Sequence, residues 1–204
     1  MAVIASGPSL TEEDCRLIAG AGWEYIVVND TWRRAPFADV IYACDKAWWD
    51  VHHQAVKKDF KGELWTQDLR AAERYGLKRV ASVNEPGLGR FGVIHQGGNG
   101  GYQAINLAWM WGAKRIFLLG LDCKPGAGGK AHWFGQHENG LSKIQNYKHW
   151  ADVFPKLAQD LKGENVEVIN LTRDTALTCF KRMSLEQAIA DYRKFDADTT
   201  NHHR

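Results

Sequence analysis

The chain has 204 residues and a formal net charge of +2, from 26 basic and 24 acidic residues, and its composition is 45% hydrophobic and 25% charged. A chain of this length can bury a core without metal or disulfide support. The balanced charge is not typical of a protein that binds nucleic acid or an acidic membrane, and no apolar run approaches the length of a membrane span.

The cysteines and tryptophans of the sequence predict the compartment of the protein and the composition of its core. The four cysteines are far apart, without a CxxC pair or zinc-like spacing, which fits buried thiols in a reducing compartment. The chain begins directly on an apolar segment without a signal-peptide pattern, so we expect a cytoplasmic protein. Most of the nine tryptophans should pack in the core, although some could line a site or a homo-oligomer interface.

In the first half of the chain, short apolar runs alternate with helical patterns. Residues 2–5, 25–28 and 40–43 are predicted strands, and 63–66 and 79–82 are weaker candidates. Residues 11–19 are predicted to form a helix capped by Thr11 and Asp14. A second predicted helix carries Trp48, Trp49, His52 and His53.

The second half continues the alternation after a glycine-rich loop at 84–101, which could hold a short strand at 91–94. A helix at 102–111 precedes the clearest strand, at 115–119, whose continuous apolar run is typical of a central parallel strand. A long helix at 142–161, kinked or divided at Pro155, a strand at 166–169 and a helix at 184–192 follow.

This alternation predicts the α/β class, with a single Rossmann-like nucleotide-binding domain over residues 1–195 and a disordered tail at 196–204. The sheet should be mainly parallel, with helices on both faces. Ligands of such sheets bind beyond the carboxyl ends of the strands. The segments that follow the predicted strands are small, polar and acidic: Ser6-Gly7-Pro8-Ser9, Asn29-Asp30, Cys44-Asp45 and Gly120-Leu121-Asp122.

Two glycine-containing turns could each accept an anion at the start of a helix. Gly7 lacks the Cβ that would block a phosphate or ribose, and Ser9 could contact a phosphate or cap the helix. Gly98, Asn99 and Gly100 precede the helix at 102–111. The alternatives are an ordinary strand-to-helix turn at Gly7 and a flexible surface loop at 96–101.

Titratable residues near the predicted strand ends suggest catalytic roles. His132 could act as a general base near neutral pH. His132 and His137 could instead bind a metal, although spacing gives no third ligand, or lie on the surface. Asp45 and Asp122 could hold Mg²⁺ with a polyphosphate, hydrogen-bond a ribose, or cap helices.

Residues 3–10, VIASGPSL, resemble the opening element of bacterial sialyltransferases and flagellin-modifying transferases, and of archaeal-type 6-hydroxymethylpterin diphosphokinases. Residues 28–32 and 98–122 resemble later segments of these families, and the likeness spans 2–32 and 98–180. It implies that Asn29 contacts a nucleotide and that His132 is the catalytic histidine. Trp133 and Tyr147 substitute only by position for the tyrosine pair that supports the leaving phosphate in the sialyltransferases.

Residues 43–49, 65–68 and 183–185 are similar to uncharacterised phage and prophage proteins, which suggests a context rather than an activity.

Our first hypothesis is a sialyltransferase-like, nucleotide-sugar-dependent glycosyltransferase that needs no cofactor and acts on an unidentified acceptor hydroxyl. His132 would be the general base, and Asp122 would order the loop or the ribose. The predicted nucleotide-binding residues are Ser6, Gly7, Pro8, Ser9, Asn29, Asp30, Asp45, Gly98, Asn99, Gly100 and Gly120.

Two alternatives remain open. One is an Mg²⁺-dependent diphosphokinase acting on a hydroxymethyl compound, with Asp45 and Asp122 as metal ligands. The other is a non-catalytic phage protein that binds a nucleotide or a host protein.

Overall fold

Short strands alternate with helices along the chain in a computed structural model that describes residues 1–137, 141 and 145–192. The strands are β1 (Ala2–Ile4), β2 (Tyr25–Val28), β3 (Val40–Tyr42), β4 (Glu63–Thr66), β5 (Lys78–Arg79), β6 (Ala81–Val83), β7 (Val93–His95), β8 (Arg115–Leu119), β9 (Glu167–Asn170) and β10 (Lys181–Arg182). The α-helices are α1 (Glu12–Ile18), α2 (Lys46–Asp59), α3 (Leu69–Tyr75), α4 (Gly100–Met110), α5 (Tyr147–Gly163) and a last helix, α6, whose described residues are 185–192.

Eight of these strands form one parallel sheet in the order β10-β9-β8-β1-β2-β3-β4-β5. The central strand β1 pairs with β2 on one side and with β8 on the other, so that Val3 lies opposite both Ile26 and Leu118. The chain builds the sheet outward from β1 to β5 and then continues on the other side from β8 to β10. The strand order therefore reverses between β1 and β8, and the predicted α/β class with a mainly parallel, Rossmann-like sheet is confirmed.

Helices cover both faces of this sheet because alternate residues of each buried strand point to opposite sides. Ile4, Val27 and Ile41 belong to a core that contains apolar residues of α1, α2, α3 and α6. Val3 and Ile26 belong to the second core, which contains apolar residues of α4 and α5. This arrangement explains why the central strands are continuous apolar runs rather than alternating ones.

The structure differs from the sequence-based elements in several places. The predicted strand at 79–82 is divided between β5, at the edge of the large sheet, and β6, which pairs with β7 in a separate two-stranded sheet. Helix α5 continues through Pro155, because its buried residues Phe154, Leu157 and Leu161 hold it against the sheet despite the missing donor. Strand β10 and a 3₁₀ turn at Asn29–Arg33 were not predicted.

Other expectations concern caps, thiols and membrane spans. Thr11 and Asp14 form the predicted capping box of α1. All four cysteines are free, and Cys15 and Cys123 are buried. Among the described helices, none is long and apolar enough to cross a membrane. The predicted tail at 196–204 and residues 142–144 of the predicted long helix lie outside the described residues.

Candidate functional site

A cavity of about 350 Å³ lies at the carboxyl ends of the central strands, where the strand order reverses. It is lined by the segments that follow β1, β2, β3, β4 and β8, by the start of α4, by part of the loop 131–137 and by the start of α5. Its volume is within the range of roughly 300–1,000 Å³ that is usual for small-molecule sites, and its position is the one where open α/β sheets bind their ligands.

Most of the residues predicted for the site meet in this cavity. Two predicted residues, Ser9 and Asp30, do not line the cavity and lie behind it. Ser9 is hydrogen-bonded to Asp122, and Asp30 is buried. The predicted residues that do line it are Ser6, Gly7, Pro8, Asn29, Asp45, Gly98, Asn99, Gly100, Gly120, Asp122 and His132. Their roles in binding or catalysis remain predictions.

Asp122 joins the turn after β8 to the turn after β1 through two hydrogen bonds. Its Oδ2 accepts the Ser9 backbone N–H at 2.7 Å, and its Oδ1 accepts the Ser9 hydroxyl at 2.8 Å. A Cβ on Gly7 would lie 2.5 Å from the Gly120 carbonyl oxygen and closer still to Asp122 Oδ1. Gly7 is therefore required by the approach of Asp122, whether or not a ligand is bound.

Asp122 is also electrostatically unusual. Its side chain is buried, and burial raises its pKa to about 6 because the lost hydration outweighs the opposing effect of the two Ser9 hydrogen bonds. A carboxylate whose two oxygens already accept internal hydrogen bonds is better suited to fixing the loop than to binding a metal.

Unusual backbone conformations also occur in the lining of the cavity. Asn29 and Cys123 both have φ 51°, although neither is glycine. Asn29 directly follows β2, and Cys123 lies in the segment after β8. Gly98 and Gly120 also have positive φ angles, of 66° and 62°. In residues other than glycine this conformation costs free energy and is over-represented at functional sites, so Asn29 and Cys123 support this cavity as the candidate site.

The glycine-rich turn before α4 is tied down by neighbouring residues. Asn99 caps α4, because its Oδ1 accepts the N–H groups of Gly101 at 2.8 Å and Tyr102 at 3.2 Å. The Trp150 indole N–H donates to the Gly98 carbonyl oxygen at 3.0 Å. A Cβ on Gly101 would overlap with the Leu121 side chain. The start of α4 is thus fixed against the turn after β8, with its N–H dipoles directed toward the cavity end.

His132 is held by the loop in which it lies and by β1. Its Nδ1 shares a hydrogen bond with the Ser6 hydroxyl at 2.9 Å, and the Trp133 backbone N–H donates to the Ser6 carbonyl oxygen at 3.0 Å. The Phe134 ring stacks on the imidazole at a centroid distance of 4.9 Å. Burial, with a smaller contribution from His137, lowers the pKa of His132 to about 4, so the imidazole is neutral at neutral pH.

Several lining residues were not predicted from the sequence. His137 lines the cavity beside His132, with ring centroids 4.6 Å apart. Amide side chains line much of the remaining wall, at Gln67, Gln96, Gln103, Gln145 and Asn146. Gln67 directly follows β4, and inspection of every strand end would have found it. The others become neighbours only through the tertiary fold.

The charges of the cavity are few. Of the described lining residues none is an arginine, and Lys124 is paired with Asp174 at 2.5 Å. No group of three or more histidine, cysteine, aspartate or glutamate side chains within the described residues is arranged to hold a metal ion. Uncharged donors and acceptors, together with the start of α4, therefore dominate the surface that a ligand would meet.

The fold and this cavity define a Rossmann-like α/β domain with a candidate small-molecule site at the reversal of strand order. Comparisons with models of protein families, with curated proteins and with solved structures gave no significant match.

Proposed function

We propose that this protein is a nucleotide-sugar-dependent, glycosyltransferase-like enzyme that transfers a sugar to an acceptor hydroxyl with His132 as general base. One observation carries the proposal: the turn after β1, the start of α4 and the imidazole of His132 line the same cavity. About ninety residues of sequence separate the turn after β1 from the start of α4, and about thirty separate the start of α4 from His132. Together these parts could hold a phosphate next to a proton acceptor.

The nucleotide would be held mainly by neutral groups. The start of α4 offers the partial positive charge of a helix end and the Gly100 N–H to a phosphate, because Asn99 already accepts the next two N–H groups of the helix. Ser6 and Asn29 are available to the ribose or phosphate from the neighbouring strand ends, and the amide side chains of the wall could hydrogen-bond the base or the sugar.

His132 can accept a proton when its Nδ1 donates to the Ser6 oxygen, because Nε2 then carries a free electron pair. The acceptor hydroxyl loses its proton to Nε2 while its oxygen bonds to the anomeric carbon of the sugar. The bond from that carbon to the phosphate breaks, and the nucleotide leaves with the bonding electrons. Positioned proton transfer of this kind contributes roughly 10²–10⁴-fold in rate.

The geometry supports an Mg²⁺-dependent diphosphokinase less well. That activity would need Asp45 and Asp122 as metal ligands, yet both oxygens of Asp122 accept hydrogen bonds from Ser9. Coordination by Asp122 would therefore loosen the turn that the same residue fixes.

A thermal-shift screen with CMP, UDP, ADP and ATP, each with and without Mg²⁺, tests the binding part of the proposal. We expect CMP or UDP to raise the unfolding temperature without metal. A rise only with ATP and Mg²⁺ would favour the diphosphokinase, and no rise with any nucleotide would contradict both activities.

Turnover of the nucleotide sugar that binds best tests the catalytic part. His132→Gln should lower turnover about 100-fold or more while nucleotide binding is retained. His53→Gln is the matched control, because His53 stacks on Tyr75 away from the cavity lining. Binding without turnover in the unaltered protein would favour a non-catalytic nucleotide-binding protein.

A further inference from the structure

A buried carboxylate stands behind the cavity and holds a second histidine. Asp30 is the second residue of the 3₁₀ turn after β2, and its side chain is only 8% exposed. Its Oδ2 lies 3.3 Å from His137 Nδ1 and accepts the Trp48 indole N–H at 2.9 Å. Because an ionised carboxylate only accepts hydrogen bonds, His137 Nδ1 must carry a proton in this contact.

Asp30 stays ionised although it is buried. Burial alone would raise its pKa, but the hydrogen bonds from His137 and Trp48, helped by the nearby His52, bring the pKa below its usual value. The other groups that face the carboxylate are Arg33, with Nε 3.5 Å from Oδ1, and His52, with Nε2 3.7 Å from Oδ1. His137 therefore faces Oδ2 of this carboxylate, while Arg33 and His52 approach Oδ1.

The two histidines form a compact group with Phe134. The ring of His137 lies against that of His132 at a centroid distance of 4.6 Å, and Phe134 contacts both rings at 4.9 Å. Ser6 holds one end of this group through His132, and Asp30 holds the other end through His137. The result is an ordered row of polar groups from the cavity to the buried carboxylate.

We propose that His137, held by Asp30, serves with His132 as a two-histidine proton relay. The inference rests on the proposed function, because it describes where the proton of the acceptor hydroxyl goes. His132 takes that proton and then passes it, directly or through one water, to His137. His132 is neutral again, His137 becomes an imidazolium beside the Asp30 carboxylate, and the proton leaves to solvent with the product.

The relay would give the proton that His132 accepts a more favourable place to go. His132 lies in surroundings that disfavour its charged form, so it can receive a proton but retains it poorly. The Asp30 carboxylate stabilises positive charge on its neighbour His137 by Coulomb attraction in a poorly hydrated place. Asp30 does not line the cavity and is therefore a positioning residue.

NMR titration of the histidine rings in the full-length labelled protein measures the electrostatic coupling between His132, His137 and Asp30, and it does not depend on enzymatic turnover. In His137→Gln, the midpoint of His132 should rise by roughly one pH unit, because a neighbouring positive charge is removed. In Asp30→Asn, the midpoint of His132 should fall, because the nearby carboxylate charge that raises its pKa is lost. His53→Gln should leave the midpoint of His132 in place. Unchanged midpoints in both test variants would overturn the coupled pair.

Turnover then tests the relay itself. Both His137→Gln and Asp30→Asn should lower kcat about 100-fold at neutral pH, with KM for the nucleotide sugar changed less than threefold and the nucleotide-induced thermal shift retained. Activity within twofold of the unaltered protein, with the same pH profile, would overturn the relay while leaving the proposed function intact. If the unaltered protein showed no turnover, both the proposed transfer reaction and the role of the relay in that reaction would be contradicted. The NMR midpoints would still decide whether the coupled pair exists.

Discussion

At the scale of single residues, Gly7 lies where a Cβ would overlap with the Asp122 carboxylate and with the Gly120 carbonyl oxygen. Its missing Cβ predicted the close approach of a phosphate or ribose. In the structure, that space is taken by Asp122 and by the Gly120 carbonyl oxygen. Ser9, predicted to contact the nucleotide, instead donates two hydrogen bonds to Asp122. The pattern indicated a close approach correctly, but only the coordinates identify the group that approaches.

We predict that Gly7→Ala destabilises the fold by about 2 kcal/mol or more, because the added methyl group would overlap with backbone as well as with the Asp122 carboxylate. Urea denaturation measures the loss. Gly20→Ala is the control, since no atom lies within 4 Å of a Cβ built there. Equal stability of the two variants would show that the turn after β1 can move away from Asp122.

At the scale of secondary structure elements, the start of α4 carries two roles that mutations can separate. Asn99 stabilises the helix by accepting two backbone N–H groups, and the same helix end is our proposed phosphate site. The sequence predicted the anion-accepting turn and missed its ties to Trp150 and Leu121. These partners are distant in sequence, so no local pattern could indicate that the turn is fixed.

Asn99→Ala should lower the free energy of unfolding by about 1 kcal/mol, because the cap is lost. Asn99→Asp should keep the stability, since its carboxylate can accept the same N–H groups, but it should weaken nucleotide binding at least tenfold by repelling the phosphate. Chemical denaturation and calorimetric titration with the nucleotide measure the two effects.

Asp68→Ala provides the matched control for this series, because Asp68 caps α3 through the Ala71 N–H and is not a lining residue of the cavity. It should lose stability and retain nucleotide affinity. If Asn99→Asp bound the nucleotide as tightly as the unaltered protein, the phosphate would not lie at the start of α4.

At the scale of the whole molecule, the order of the strands decides where the site is. Because β1 lies between β2 and β8, the segments after these three strands converge on one cavity. The loop 131–137 and the start of α5 complete it, although they are far from β1 in the sequence. Two titratable groups in this cavity, the buried Asp122 and the half-buried His132, then affect the stability of the entire fold.

These two groups have opposite effects on stability as the pH changes. The pKa of His132 is lowered to about 4, so its contribution is present above about pH 6.5 and is lost as the pH falls toward 4. The pKa of Asp122 is raised to about 6, so its contribution is present at low pH and is lost as the pH rises through 6.

We therefore predict that His132→Gln makes the fold less sensitive to acid. Between pH 7 and pH 5, the stability of the variant relative to the unaltered protein should rise by about 1–2 kcal/mol. Denaturation curves of the variant and of the unaltered protein at pH 7, 6 and 5 measure this difference. A difference that is constant with pH would show that His132 titrates equally in the folded and unfolded chains.

Local sequence patterns were enough to predict the α/β class, the positions of the buried central strands and the capping box at Thr11, because these depend on apolar periodicity and on contacts between near neighbours. Most of the site residues selected from the sequence do line the cavity, since a parallel sheet exposes its strand ends at one edge. Only the tertiary structure decided that Asp30 lies behind the cavity and that His137 lies inside it. Such contacts join residues distant along the chain, and their geometry depends on how whole elements pack rather than on any local pattern.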